Sequence, residues 1–204
     1  MTRRPVRTTA ARRPSGPSAN KPRSESPVAA DSLIREIPLI QRFARHNEDD
    51  DYRFRDFLKT RLNRSTSETD SIVRNTTDEV WKQIDCTQCG NCCRTLQVVV
   101  DDQDIKRLSA RLSATPAEFA RRYVTVAADR TKHFSHSPCR FLGDDNRCTV
   151  YEDRPAACRD FPYLHQPHFV SRSLMMIENT ATCPIVFNVW QALKERLGYR
   201  RGHR

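Results

Sequence analysis

Apolar residues recur at helical spacing in the part of the chain that precedes the first cysteine. Three helices are predicted there, one starting at Ser32, one over residues 50–62 and one over residues 77–85 with Thr77 as its cap. Pro38 should kink or divide the first helix, because proline has no amide hydrogen to donate. The third helix would lead the chain directly into a group of cysteines.

The central part of the chain alternates between short apolar runs and helical patterns. Residues 96–100 have the composition of a short strand, and the acidic start of residues 101–112 introduces an amphipathic helix. Thr115 and Glu118 have the spacing of a capping box, and Pro116 occupies the first helical position between them. A further helix is therefore predicted from this point.

The next elements carry further cysteines. A turn at residues 143–146 predicts a small hairpin, with Cys139 and Cys148 beside its two arms. A short helical turn should open at Arg154 and end near Cys158. These elements would bring the later cysteines close to one another.

The C-terminal part of the pattern gives a strand over residues 169–177 and an amphipathic helix over residues 184–197. The 204 residues, 37% of them hydrophobic, can supply one modest core. The predicted fold class is α+β: a small, mainly helical single domain with a short β-hairpin around a cysteine-ligated metal site and a disordered basic N-terminal tail. No internal repeat is visible.

The net charge of +10 comes from the two ends of the chain, because seven Arg and Lys against one acid lie in residues 1–30, and residues 194–204 hold five against one. The predicted organisation has four parts. A disordered basic tail covers residues 1–28 and a helical segment covers residues 29–85. A cysteine-cluster domain follows over residues 86–197, and a basic C-terminal tail covers residues 198–204. The tails could contact nucleic acid, but no aromatic residue interleaves the N-terminal charges, so a solvated arm is favoured.

The paired arginines near the N-terminus are not followed by an apolar stretch, so no secretory or twin-arginine signal is expected. No run approaches the length of a membrane helix, so no membrane contact is expected and the predicted compartment is the cytoplasm. In a reducing compartment eight cysteines favour metal ligation over disulfides. The alternative is that some of them are small buried apolar residues.

The run C-x2-C-x2-C-C is the strongest chemical signal in the chain. Cys86, Cys89 and Cys92 are separated by two residues each, which lets a tight loop point successive thiolates at one metal centre. Gly90 supplies the backbone freedom that such a loop needs. Cys93 follows directly, and because adjacent side chains usually diverge, one of the pair should face elsewhere.

Four later cysteines bring the total to eight, which equals two four-thiolate sites; the alternative is one complete site and bystanders. They are Cys139, Cys148, Cys158 and Cys183. Cys183 precedes Pro184 and a predicted helix, as in the Cys-Pro that closes many iron-sulfur sites. Ligand type does not separate zinc from iron, but three thiolates at two-residue intervals favour an iron-sulfur cluster, 4Fe-4S before other types, with Zn2+ as the alternative.

Histidines and arginines also lie near the cysteines. A mixed Cys/His site or a proton-transfer role is conceivable for His133, His136, His165 and His168, but eight thiols already suffice, so ordinary loop polarity is favoured. Positive charge that offsets the thiolates is expected from Arg94, Arg140, Arg147, Arg154 and Arg159. No arrangement typical of hydrolytic or acid-base catalysis is present, so no catalytic residue is predicted.

Three blocks of sequence carry a family resemblance: C-T-Q-C-G-N-C-C-R, P-C-R-F-L and C-T-V-Y-E-D-R-P-A-A-C-R-D-F-P. Together they resemble the YkgJ-like family of zinc- or iron-chelating CxxCxxCC domains, over about residues 86–162. The resemblance implies a metal-ligand role for the seven cysteines up to Cys158, and local chemistry adds Cys183. The family also includes flagellin lysine N-methylase.

The predicted function is metal binding with a redox, sensing or structural role, and a protein partner is compatible with it. The alternative is a cluster-dependent modifying enzyme such as a protein methyltransferase. Against that alternative, the chain is short and has only five glycines and no glycine-rich loop for a nucleotide-like cofactor. Whether the protein is an enzyme therefore stays open at this level.

Overall fold

The computed structural model describes residues 28–29, 32–61 and 66–201. The described part is mainly helical and contains one two-stranded antiparallel sheet. The helices are α1 (Ile37–His46), α2 (Glu48–Arg61), α3 (Thr66–Trp81), α4 (Asn91–Thr95), α5 (Asp102–Arg111), α6 (Pro116–Tyr123), α7 (Ala156–Asp160), α8 (Ser173–Thr180) and α9 (Pro184–Arg196). The strands are β1 (Val124–Val126) and β2 (Lys132–Phe134). The predicted N-terminal tail lies outside the described residues apart from Val28.

The N-terminal helices differ from the predicted ones at their starts. Helix α1 begins at Ile37, so Pro38 lies in its first turn, where no amide donor is needed, and the predicted kink is wrong. Helix α3 begins at Thr66, and Thr77 does not cap it. Thr77 is fully buried inside the helix and donates its hydroxyl to the Val73 carbonyl at 2.7 Å. A threonine can satisfy its hydroxyl in this way, so it does not always mark a helix start.

Helices α5 and α6 confirm the predictions made from their first turns. A capping box precedes each helix. The side chain of the residue before the helix accepts from the backbone amide three residues later, and the side chain of that later residue accepts from the backbone amide of the first. The pairs are Asp101 with Asp104 and Thr115 with Glu118. Local side-chain chemistry therefore fixes where these two helices start.

The strand predictions hold less well. Residues 96–100 form only a single bridge, Val99 to His133, and the predicted hairpin around residues 143–146 is reduced to the bridge between Leu142 and Cys148. The predicted strand at residues 169–177 is wrong, because this stretch is a 3-10 turn followed by α8. Short apolar runs fit a strand or a buried helix equally well, and here packing against α9 selects the helix.

The buried apolar side chains of the described residues form two clusters. We call the larger one the helical core: Leu33, Phe54, Leu58, Val73, Val80, Ile84, Leu164, Phe169, Val170, Met176, Ile177, Cys183, Ile185, Val186, Val189, Trp190, Leu193 and Leu197. We call the other the small core: Val100, Ile105, Leu108, Phe119, Phe134, Phe141 and Val150. The helical core joins residues from both ends of the described chain, and the middle of the chain builds the small core.

Ionic contacts fix α9 in the helical core. Lys194 is buried and donates to Asp50 and Asp51 of α2 at 2.6 Å each. Asp51 also accepts from the Trp190 indole at 2.9 Å. Arg196 pairs with Glu79 of α3 at 2.6 Å. Because Cys183 directly precedes α9, these contacts also determine where the last cysteine lies. In the described part of the chain, no helix has the length and apolar composition needed to cross a membrane.

Candidate metal centre

The first cysteines lie in a loop of defined shape. Asp85 caps the 3-10 turn Cys86–Gln88 by accepting from the Thr87 amide at 2.9 Å. Gly90 then adopts the left-handed conformation with φ of 59°, and α4 begins at the next residue. A Cβ at Gly90 would lie 2.7 Å from the Arg94 guanidinium and 3.3 Å from the Asn146 Cβ. The left-handed backbone conformation therefore favours glycine here, and the space beside Asn146 is also tight.

Cys92 and Cys93 are successive residues of α4, and their sulfur atoms lie 4.0 Å apart. Side chains of adjacent helical residues point about 100° apart around the helix axis. The two thiols therefore contact each other but face different surroundings on their other sides. The expected divergence is therefore only partial. The Cys93 carbonyl accepts from the Cys139 amide at 2.8 Å, so the backbone of the later segment is bound directly to α4.

The remaining cysteines approach from three other elements. Cys148 forms the bridge with Leu142, and Cys158 lies in α7. Cys183 is the residue before α9 and is 7% exposed. The Asn91 amide group, within the first cysteine run, donates to the Thr182 carbonyl at 2.7 Å and so connects that run to the residue before Cys183.

All eight cysteines line one cavity of about 540 Å³. It lies between the two cores, because its wall includes Ile84 and Ile185 from the helical core and Phe134 and Phe141 from the small core. All eight cysteines are free thiols. Within the described residues, no group of three or more Cys, His, Asp or Glu side chains converges closely enough to hold a metal ion. The predicted ligands thus surround one cavity, but in the described residues no three of them lie close enough together to bind one metal ion.

Burial controls the ionisation of most of these thiols. Burial raises the pKa of Cys86, Cys139 and Cys148, and it raises the pKa of Cys158 and Cys183 to about 12. These thiols are therefore neutral at pH 7 unless a cation replaces their protons. Exchange of protons for a metal ion is the usual chemistry of cysteine sites, so the donor set fits zinc or iron.

The adjacent pair behaves differently from the other thiols. A hydrogen bond from Cys92 lowers the pKa of Cys93 to about 7, with burial opposing and Arg94 assisting, and the same bond raises the pKa of Cys92. The negative charge of Cys93 in turn contributes to the raised pKa values of Cys139, Cys148 and Cys158. The charges of Cys86 and Cys89 do the same for Cys183. Cys92 is close to both groups, since Cys183 and Cys158 both raise its pKa.

Three of the five predicted arginines line the cavity, namely Arg147, Arg154 and Arg159. The Arg154 guanidinium lies 3.8 Å from the centre of the Tyr151 ring and donates to the Tyr151 carbonyl at 3.3 Å. Its charge lowers the pKa of Cys86, Cys148 and Cys158 against the larger effect of burial. Arg94 donates to the Cys89 carbonyl at 3.1 Å, next to the cavity. Arg140 instead contacts His136 at 2.7 Å and does not line the cavity.

No histidine of the described residues lines this cavity. His165 pairs with Asp78 at 2.8 Å, and His136 lies 2.7 Å from the Ser135 hydroxyl. The sequence patterns did not reveal the residues that connect the cysteine-bearing loops, above all Asn91 and Asn146. Asn146 donates to the Gln88 carbonyl at 3.1 Å from a left-handed backbone conformation. Its position in the predicted turn was the available signal, since asparagine tolerates that conformation.

The comparison with known families decides what this arrangement is. Residues 85–184 match the CxxCxxCC family model, described as a "putative zinc- or iron-chelating domain". Residues 85–184 of this chain thus carry a CxxCxxCC domain. The match spans all eight cysteines and confirms the resemblance found in the sequence. No significant match was found among curated proteins or solved structures. The cysteines of the CxxCxxCC domain line a cavity that lies between the helical core and the small core.

Proposed function

We propose that this protein binds iron, as an iron-sulfur cluster of the 4Fe-4S type, through the cysteines around the cavity. Zn2+ is the alternative metal. The observation that supports the proposal best is that eight cysteines, spread over residues 86–183, all line one cavity of about 540 Å³. Cysteines placed by packing alone would have no reason to share one cavity wall across almost 100 residues of chain.

The spacing of the thiols favours a cluster over a single zinc ion. A tetrahedral zinc site with Zn–S bonds of about 2.3 Å needs sulfur atoms about 3.8 Å apart. The Cys92 and Cys93 sulfurs approach that separation at 4.0 Å, but no group of three ligands in the described residues does so. A polynuclear cluster has thiolates at several metal corners, so its ligands lie farther apart around a larger space.

The protein's own residues would hold the group and control its surroundings. Apolar side chains of both cores line the cavity, and Arg147, Arg154 and Arg159 supply positive charge near the thiolates. A bound cluster would supply one-electron chemistry, and a bound zinc ion would supply a structural crosslink. The proposed role is accordingly redox, sensing or structural, in the cytoplasm, where thiols stay reduced.

Metal and sulfide analysis tests this proposal directly. Protein purified without oxygen should be brown, absorb in the visible range and contain iron with acid-labile sulfide. The matched control is a variant with Cys86, Cys89 and Cys92 all changed to alanine, which should have clearly less colour and iron than the native chain. Colourless protein that carries zinc would reject the iron-sulfur version and retain the chelation. Protein that takes up neither metal would reject both.

The size of the cavity gives some support to the second candidate, a cluster-dependent modifying enzyme such as a protein methyltransferase. A mononuclear zinc site fills a sphere of roughly 50 Å³, so a cavity of about 540 Å³ leaves space for an organic molecule against Trp81, Phe161 and Tyr163. Calorimetry of the metal-loaded protein with a methyl donor tests this candidate. A measurable heat that is absent in a Trp81→Ala variant supports it, and no heat with the native chain removes it.

A further inference from the structure

We propose that the cavity holds two metal centres, each bound by four cysteines, and that the boundary between them runs between Cys92 and Cys93. This inference rests on the proposed metal-binding function. The first set is Cys86, Cys89, Cys92 and Cys183. The second set is Cys93, Cys139, Cys148 and Cys158.

Contacts around Cys183 join it to the first cysteine run. The Cys89 amide donates to the Cys86 carbonyl at 3.2 Å, so these two residues belong to one tight turn. The bond of 2.7 Å from the Asn91 side chain to the Thr182 carbonyl then fixes the start of α9 beside that turn. Cys183 is itself a member of the helical core, so the first set lies on the helical-core side of the cavity.

Different contacts bind the second set to the small core. The Cys139 amide donates to the Cys93 carbonyl at 2.8 Å, and the Thr149 amide donates to the Phe141 carbonyl at 2.8 Å, which closes the turn between Cys139 and Cys148. Both of these cysteines pack against the small core. The second set therefore begins at Cys93 and continues on the opposite wall.

Cys158 is attached to the same side through α5. The Ala156 amide at the start of α7 donates to Asp104 at 3.2 Å, and Arg107 donates to the Arg154 carbonyl at 3.0 Å. Asp104 and Arg107 belong to α5, which supplies Ile105 to the small core. Helix α5 thus ties the position of Cys158 to the small core.

The adjacent pair lies where the two sets meet. Both thiols come from one short helix, so their side chains diverge by about 100° even though their sulfur atoms are 4.0 Å apart. Four thiolates per centre satisfy either a zinc ion or an iron-sulfur cluster, so eight cysteines supply two complete sites with none left over.

Metal stoichiometry in matched variants tests the division. Cys89→Ala removes a ligand of the first set and Cys148→Ala one of the second; both cysteines are half-buried. With Zn2+ as the probe, the native chain should bind about two ions and each variant about one. The double variant should bind none tightly. Circular dichroism with zinc present shows whether each variant retains its helices.

Several results would overturn the inference and leave metal binding intact. A single variant that loses all zinc while it keeps its helices indicates one shared centre. A variant that keeps the full native amount shows that its cysteine is a bystander. If the native chain binds no zinc and no iron, the proposed function itself fails, and this outcome is distinct from the other two.

A second measurement avoids the risk that a variant does not fold. The native chain is titrated with Zn2+, its free thiols are alkylated, and the protected cysteines are located by mass spectrometry. Chains with four protected cysteines should carry them all in one set, either Cys86, Cys89, Cys92 and Cys183 or the other four. A protected group that mixes the sets, or a saturated chain with only four protected cysteines, contradicts the division.

Discussion

The two cores of this molecule differ in size and in what surrounds them. The helical core has eighteen buried members, drawn mainly from α2, α3, α8, α9 and neighbouring segments. The small core has seven, all from residues 100–150. The helical core therefore buries many more apolar side chains, and burial of each of them stabilises the fold. We expect the small region to depend more strongly than the helical region on the bonds that a metal would supply.

Removal of the metal should show the largest contrast between the two regions. We expect chelation under anaerobic conditions to lower amide protection in α5, α6 and the β1–β2 hairpin by about 100-fold or more, because structural metal binding is folding free energy. Protection in α3 and α9 should change much less. Hydrogen exchange read by mass spectrometry measures both in one experiment. Equal loss in the two regions, or loss in α9 first, would contradict the contrast.

Loss of the Lys194 ammonium tests the helical region on its own. Lys194→Met leaves Asp51 buried without its cation and leaves Asp50 with only the more distant Arg201 at 3.6 Å, so we expect a loss of about 3–5 kcal/mol in the free energy of unfolding. Chemical denaturation of the metal-loaded protein measures this loss. The metal content should stay near the native value, since none of these residues lines the cavity. Lys59→Met, an exposed change in α2, serves as the control and should cost little.

A capping change tests the small region with a milder perturbation. Thr115→Ala removes the hydroxyl that accepts from the Glu118 amide at 3.2 Å, and the expected cost is about 1 kcal/mol. The effect should be visible in the melting of the small region, which has little apolar burial to spare. Thr125→Ala, at an exposed strand position, is the matched control. An equal effect of the two changes would show that the capping box does not stabilise α6.

The smallest effect concerns pH and the Glu79–Arg196 pair. The hydrogen bond from Arg196 lowers the pKa of Glu79 below its ordinary value of 4.5. A lowered pKa adds stability that is present above the ordinary value and is lost as the pH falls through the folded value. Because both side chains are partly exposed, the contribution is about 1 kcal/mol or less. The test is to denature the native chain and the Glu79→Gln variant between pH 6 and pH 3, at the same metal content. The difference in their free energies of unfolding should shrink as the pH falls.

The sequence allowed good predictions wherever a local signal decided the structure. The caps at Asp101 and Thr115 and the proline at the start of α9 are read from neighbouring residues, and all three helices begin as predicted. The family resemblance rests on three short blocks of sequence, the first of which is the run from Cys86 to Cys93. Each of these signals can be recognised from residues that are close together in the sequence.

The predictions failed where distant packing decided. Residues 169–177 are helical because they pack on α9, and no neighbour in the sequence reveals that contact. Thr77 looks like a cap but is an interior residue of a longer helix. The grouping of the cysteines depends on Asn91 reaching Thr182 and on Cys139 reaching Cys93, two contacts between parts of the chain that local patterns do not connect.

The bond between Asn91 and Thr182 has a consequence for the order of events during synthesis. It closes a loop that spans residues 92–181, so it cannot form until nearly all of the described chain has been made. The proposed first centre has the same requirement, because it waits for Cys183. The proposed second centre has no ligand beyond Cys158, so we expect it to assemble while α8 and α9 are still being translated. Metal would then enter the two proposed centres one after the other, with the small-core side supplied first.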